Sequence, residues 1–271
     1  MRKFFISGAL ILSLFLVACE SSSRLNTPSS TTTLSSSISL EWQKLSEGLS
    51  FSRLKAEQKN KIYDLLLAKI DPQHAHFQIY QNTEKVTAKS IEEIHQAQKA
   101  QLTFNGAFFS PELKPVSLLI SGEKTLHTIS KADLLNGVFT ITKNGKAALE
   151  KSENFQSSGN IDFAIQNGPI LLNKDKQNGI RSDDQKLASR TAMGIDKDGN
   201  IIVILLKAGF LNDDNQISLY QFADLLQKNP AFSGIGLHSV LNLDGGPSTG
   251  MMIENVYYPE MDRVQNVILV K

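Results

Sequence analysis

The 271-residue sequence has a single cysteine, so no intramolecular disulfide framework can form. It also lacks charge of one dominant sign. Lys and Arg number 28 against 27 Asp and Glu, and a net charge of +1 gives no field suited to an extended polyanion. No nucleic-acid partner is expected. There is no GxGxxG opening a helix and no P-loop, which leaves dinucleotide binding and P-loop phosphoryl transfer without a signature. His74 and His76 stand apart from other ligand types and make no zinc set, and His127 has no partner pattern. The pattern requires no cofactor and leaves the need for a divalent cation open. What is present is ordinary globular material, at 41% apolar, 20% charged and 7% aromatic residues, which excludes collagen-like, coiled-coil and wholly disordered chains.

Arg2 and Lys3 precede an apolar run, Phe4 to Ala18, that is shorter than the roughly 20 residues of a comfortable membrane span. The run ends Leu16-Val17-Ala18-Cys19, which resembles the lipobox of bacterial lipoproteins. That resemblance implies cleavage before Cys19 and acylation of its thiol, so residues 1–18 are expected to be a signal peptide and the bilayer a partner through acylated Cys19. Several acyl chains anchor firmly without a transmembrane helix. Glu20 rather than Asp follows the cysteine, and by resemblance to sorting rules this favours the outer membrane, facing the periplasm, in a host with two membranes. From Ser21 to Ser39, 13 of 19 residues are Ser or Thr, too little apolar surface to offset the entropy of ordering them. Residues 19–39 therefore read as a lipidated cysteine and tether.

The remaining residues, 40–271, show no second linker and no repeat, and are expected to form one domain. Lys61–Ile70 is open between helix and strand, because Leu65, Leu66, Leu67 and Ala68 favour helix while Asp71-Pro72 closes it at strand length. Residues 77–80 alternate as a strand. Ser90 and Glu93 have capping-box spacing before a helix over about 91–100. Residues 138–142 read as a strand entering a turn, and 191–195 and 201–206 as a hairpin around Asp196-Lys197-Asp198-Gly199-Asn200. Ser218 and Gln221 cap a helix to about Lys228 with a stripe of Leu219, Phe222, Leu225 and Leu226; 240–243 and 264–270 are strands. Many strands with two well-signalled helices and no regular βαβ alternation give an α+β class with a mixed sheet.

The most informative run is Asn242-Leu243-Asp244-Gly245-Gly246-Pro247-Ser248-Thr249-Gly250. An apolar strand delivers one carboxylate into a Gly-Gly turn, whose N–H groups can approach a ligand closely, with Ser248 and Thr249 as hydroxyl donors beside it. A purely structural turn fits the same letters, since Asp-Gly is also a common hairpin signal. Asn105-Gly106 lies between aromatics, and Gln166-Asn167 interrupts an apolar run; such amides need partners in backbone or in a ligand's hydroxyls. Arg190 stands at the mouth of the strand Thr191-Ala192-Met193-Gly194-Ile195, and its fork suits phosphate or carboxylate. His238, six residues before Asp244, is a candidate acid or base.

Together these runs resemble the phosphodiester glycosidase family, whose animal member removes the covering N-acetylglucosamine from mannose-6-phosphate tags and whose bacterial members are often envelope lipoproteins. The family's NGGFF element is similar to Asn105–Phe109 with Ala107 for a glycine, and QxGP to Gln166–Pro169. Its R-T/A-A-x-G-I strand is similar to Arg190–Ile195, and LYELA to Leu219–Ala223. NLDGGGSS is similar to Asn242–Thr249 with Pro247 and Thr249 substituted, and R-x-V-x-N to the segment with Arg263 and Asn266. The resemblance implies the family's α+β fold with helices packed on the sheet, and a hydrolase acting between a sugar anomeric carbon and a phosphodiester oxygen in an envelope or extracellular glycan. It implies Asp244 as base or nucleophile, and Arg190 with the N–H groups of Gly245 and Gly246 as phosphate clamp, helped by Thr191 and Ser248. Asn105, Gly106, Gln166 and Asn167 would bind the sugar. Asp162 and Glu112 are available as a second acid but have no signature behind them. The competing class is a non-catalytic envelope lipoprotein that binds glycan or a protein.

Overall fold

The computed structural model describes residues 40–208 and 214–271. The expected signal peptide, Cys19 and the tether lie outside the described residues.

The described chain runs β1 (Gln43–Ser46), β2 (Leu49–Gln58), β3 (Lys61–Ile70), β4 (Phe77–Gln81), α1 (Ile91–Gln98), β5 (Leu102–Asn105), β6 (Leu119–Ser121), β7 (Lys124–His127), β8 (Gly137–Thr142), β9 (Ala147–Lys151), β10 (Ile161–Asn167) and β11 (Ile170–Leu172). It continues through β12 (Arg190–Ile195), β13 (Ile201–Leu206), α2 (Leu219–Lys228), α3 (Pro230–Gly234), β14 (His238–Asn242), β15 (Met251–Ile253), β16 (Val256–Tyr258) and β17 (Asn266–Val270). The strands form three sheets, in the orders β1-β2-β3-β13-β12-β14-β11, β7-β6-β10-β8-β9 and β16-β15-β5-β17-β4. The class is α+β in one domain, as expected, and the sheets are antiparallel.

The seven-stranded sheet is covered on both faces. On one face Leu66, Ala68, Ile70, Met193, Val203, Leu205, Leu241 and Leu243 join Phe104, Phe139, Phe163 and Ile268 of the smaller sheets in a shared core. On the other, Leu65, Leu67, Ile202, Ile204 and Val240 pack against Phe222, Leu225 and Phe232 of the helices. This settles Lys61–Ile70 as a strand. Its leucine triplet alternates between two apolar layers while its backbone pairs with β2 on one side and β13 on the other, so tertiary burial overrides helix propensity. Burying each such leucine contributes about 1.5–3 kcal/mol.

The helix signals are realised at the predicted caps. Ser90 Oγ accepts from Glu93 N at 3.1 Å and Glu93 returns a bond to Ser90 N at 2.6 Å. At α2 only half of the box forms: Ser218 Oγ accepts from Gln221 N at 3.2 Å, while the Gln221 amide reaches Asp183 instead. The short α3, which carries no apolar periodicity of its own, is capped by Asn229 and opened by Pro230.

Candidate functional site

The Asp-Gly-Gly turn stands where two sheets meet. In β14 the ladder with β12 sets Ala192 opposite Asn242 and Met193 opposite Leu241, and Leu243 N donates to Thr191 O at 2.9 Å. Asp244 follows two residues after the last pair of this ladder, beside the start of β12 at Arg190. Beyond Asp244 the chain turns under Gly246 N, which donates to Ser189 O at 2.9 Å. Gly246 takes φ +60°, a left-handed conformation a side chain would strain.

Both backbone polar groups of Asp244 are held from the second sheet. Asp244 N donates to Gly106 O at 3.0 Å, and Asn105 Nδ2 donates to Asp244 O at 2.7 Å. Asn105 Oδ1 in turn accepts from Thr191 Oγ1 at 2.7 Å and Gly250 N at 3.2 Å. Asn266 locks the same loop through Ala107 N at 2.7 Å and Ala107 O at 3.2 Å. Ala107 fits there without a positive φ, so its methyl in place of the family's glycine does not strain the loop.

Asp244 is half-buried, and burial pushes its carboxyl up to about 6 against the opposing pull of hydrogen bonds from Ser248 and Gly245 N. Gly245 N lies 2.9 Å from Asp244 Oδ1. Arg190 is anchored by Nε to Ile217 O at 3.0 Å and by Nη2 to Lys186 O at 2.8 Å. Its Nη1 has no protein acceptor among the described residues and would lie 3.8 Å from a Cβ on Gly245, so it faces the turn. No ion pair joins Arg190 to Asp244 among the described residues. A carboxyl poised to exchange a proton near neutrality thus sits beside a guanidinium N–H open to an anion.

The structure places the other residues expected from the sequence as follows. His238 begins β14 opposite Ile195, bonded to Ser239 Oγ, and six residues of strand at about 3.3 Å each put it roughly 20 Å from Asp244. It faces Lys174, Lys176 and Asp196 at the far end of the sheet. Gln166 is fully buried and makes four bonds, to Leu118 N, Ser130 N, Ser130 O and Leu135 O, which fasten a loop and leave nothing for a sugar. Asn105 and the Thr191 hydroxyl are committed to each other and to the turn backbone. The N–H groups of Gly245 and Gly246 already have acceptors, and Pro247 has none to offer, so the turn is no open anion nest. Gly106 serves through its carbonyl. Of the expected residues, Asp244, Arg190, Ser248 and Asn167 keep polar atoms directed to the site or without protein partners. Asp162 lies near His76 at 3.6 Å, and Glu112 is exposed beside Ser110.

One contributor was not singled out from the sequence. Lys207, directly after β13, is buried, and its Nζ donates to Thr249 O at 3.0 Å beneath the turn; burial holds its pKa below the ordinary lysine value. Its one readable signal was a lysine abutting the apolar run Ile201–Leu206. Asn242 Oδ1 and Thr249 Oγ1 are buried without partners, as are both polar atoms of Asn167. Two grooves, of about 580 and 590 Å3, open elsewhere, around His74, His76 and Asp162 and around Trp42, Phe51 and Arg53, and neither includes a residue of this constellation. We place the candidate site at Asp244 because the ionisable chemistry is there. Among the described residues no three His, Cys, Asp or Glu side chains group as metal ligands.

Residues 98–271 match the family described as phosphodiester glycosidase. The fold is similar to the catalytic domain of zebrafish N-acetylglucosamine-1-phosphodiester alpha-N-acetylglucosaminidase auto-inhibited by its pro-peptide, with TM-score 0.65 and 17% identity over 86% of this chain and 88% of that one. It is equally similar to a hypothetical protein from Synechocystis, with TM-score 0.65 and 15% identity over 85% of this chain and 63% of the other. This chain thus spans under two thirds of the Synechocystis protein's length. No curated protein matches the sequence.

Proposed function

The chain belongs to the phosphodiester glycosidase family, a membership that carries a hydrolytic role at family level, and from that premise we propose that it cleaves the bond between a sugar anomeric carbon and a phosphodiester oxygen in an envelope or extracellular glycan. Sugar and a phosphate monoester are the products. The observation that carries this reading is Asp244, its carboxyl raised to about 6, next to Gly245, which Arg190 Nη1 faces.

Phosphate is a good leaving group, so stabilising its developing charge matters more than protonating it. Arg190 Nη1 is assigned to that charge. Asp244, ionised above about pH 6, acts as base toward water or as nucleophile at the anomeric carbon, with Ser248 orienting the carboxylate. Asn105, Gly106, Thr191 and Lys207 act behind these groups, holding the turn that presents Asp244. Release of reducing sugar from a sugar-1-phosphodiester by wild-type protein, lost in D244N, tests the reading; no release across envelope-derived diesters would overturn it.

The competing reading, a non-catalytic binder of envelope glycan, is favoured by the closed backbone of the Gly245-Gly246 turn, which offers phosphate only one open side-chain donor. Saccharide affinity that survives D244N without turnover would select it. We also place the protein in the bacterial envelope through lipid on Cys19, in support of which stand the apolar run and Ala18-Cys19. Incorporation of labelled palmitate, abolished by C19S, tests the anchor.

A further inference from the structure

A phosphodiester joins two alcohols, and the hydrolase reading accounts for only one of them, the sugar. The surface around the Asp244 turn gives the other a chemistry. Among the described residues seven large apolar side chains are exposed, and two of them flank this turn. Leu187, 53% exposed, follows Lys186, whose carbonyl holds Arg190 Nη2 at 2.8 Å, and stands two residues before Ser189, whose carbonyl accepts from Gly246 N at 2.9 Å. Met261, 81% exposed, donates from its backbone N to Pro247 O at 2.7 Å. Pro247 is itself exposed, and it stands where the family pattern has a glycine, so this part of the rim is particular to the chain.

A single exposed apolar side chain is ordinary, but three on the segments that build one turn are not scattered. Their side chains offer a ligand apolar contact and nothing else. A second sugar in this place would want hydroxyl partners, which Leu187, Pro247 and Met261 do not supply. The guanidinium whose Nη1 is open is fastened one residue from Leu187. An open cation beside exposed hydrocarbon matches an amphiphile, an anionic head esterified to a chain, whereas inorganic phosphate would leave the hydrocarbon in water.

We propose that the alcohol on the phosphate side of the substrate is a lipid alcohol, its alkyl chain lying on Leu187, Pro247 and Met261 and its phosphate toward Arg190. This rests on the hydrolase reading for the presence of a phosphate ester, but binding of an alkyl phosphate tests it without turnover.

The probes are methyl phosphate and hexyl phosphate, titrated against the full chain by calorimetry. Hexyl phosphate is expected to bind about tenfold or more tightly than methyl phosphate, with a more negative heat-capacity change, because its additional methylenes leave water. L187Q and M261Q, both at exposed positions, are each expected to lower hexyl phosphate affinity about threefold or more, and the double variant to bring the two esters level. R190Q is expected to weaken both esters about tenfold or more. I62Q changes an equally exposed side chain at the β2–β3 hairpin and is expected to leave the preference intact. The proposal is overturned if wild type binds the two esters equally or binds neither, if the preference persists in the double variant, or if I62Q reduces it as much. Turnover is measured separately on sugar-1-phosphodiesters. Equal kcat/KM for methyl and hexyl diesters sinks the lipid arm and leaves the hydrolase reading standing, whereas a chain-length preference in binding without turnover removes only the hydrolase reading.

Discussion

Arg190 opens β12 and Asp244 lies two residues past the end of the neighbouring β14, yet the guanidinium is tied by Nε and Nη2 to the carbonyls of Ile217 and Lys186 and forms no ion pair with the carboxylate. Had they paired, each would have neutralised the other and Asp244 would lie below the usual carboxylate range. Instead burial dominates and the carboxyl is raised to about 6.

A stability profile follows from that value. Between the ordinary 3.8 and about 6 the native state binds a proton more tightly than the unfolded chain, so stability falls as pH rises through this window and stays lower above it. D244N removes the ionised form. It is expected to be more stable than wild type at about pH 7.5, by up to about 3 kcal/mol, and to lose the pH dependence, as read by thermal unfolding across pH. Turnover, where Asp244 must be ionised, is expected to rise with pH through about 6 and to be absent in D244N.

Arg190→Lys keeps the charge but cannot hold two carbonyls and an anion together. A fall in kcat/KM of about a hundredfold or more is expected, with a smaller loss for substrates whose leaving group is a better anion. Equal losses across leaving groups would remove Arg190 from the phosphate.

Asn105→Ala would orphan Asp244 O, Gly250 N and Thr191 Oγ1 together, and is expected to destabilise by about 3 kcal/mol or more in denaturant titrations. The milder Asn105→Asp retains the acceptor toward Thr191 and Gly250 but loses the donor to Asp244. It is expected to lower kcat more than it raises KM, since the group touches no substrate.

His238→Gln is expected to leave kcat within about twofold, because strand geometry puts it at the far end of β14. A large loss would show that the site extends along the sheet.

The elements legible in the sequence were those with local causes: the Ser90–Glu93 box, the Asp196–Asn200 turn and the apolar stripe of α2. Asp244 and Arg190 were legible as residues whose types suit the chemistry at the ends of strands. What letters could not give was the orientation of amides. Gln166, Asn105 and Asn167 read alike, and only three-dimensional partners separate an amide with four bonds from one with none. His238 shows a related point, because proximity in sequence along an extended strand is distance in space. Lys207 was hidden because its partner, Thr249 O, is a backbone atom 42 residues away.

The anchoring of Asp244 by Asn105 and Gly106, residues at the end of one sheet gripping the turn of another, makes the constellation a sensor of how those sheets are docked. Conditions that prise the two layers apart by an ångström should silence the chemistry while each layer still holds its strands, so inactivation on heating should precede the loss of β-structure.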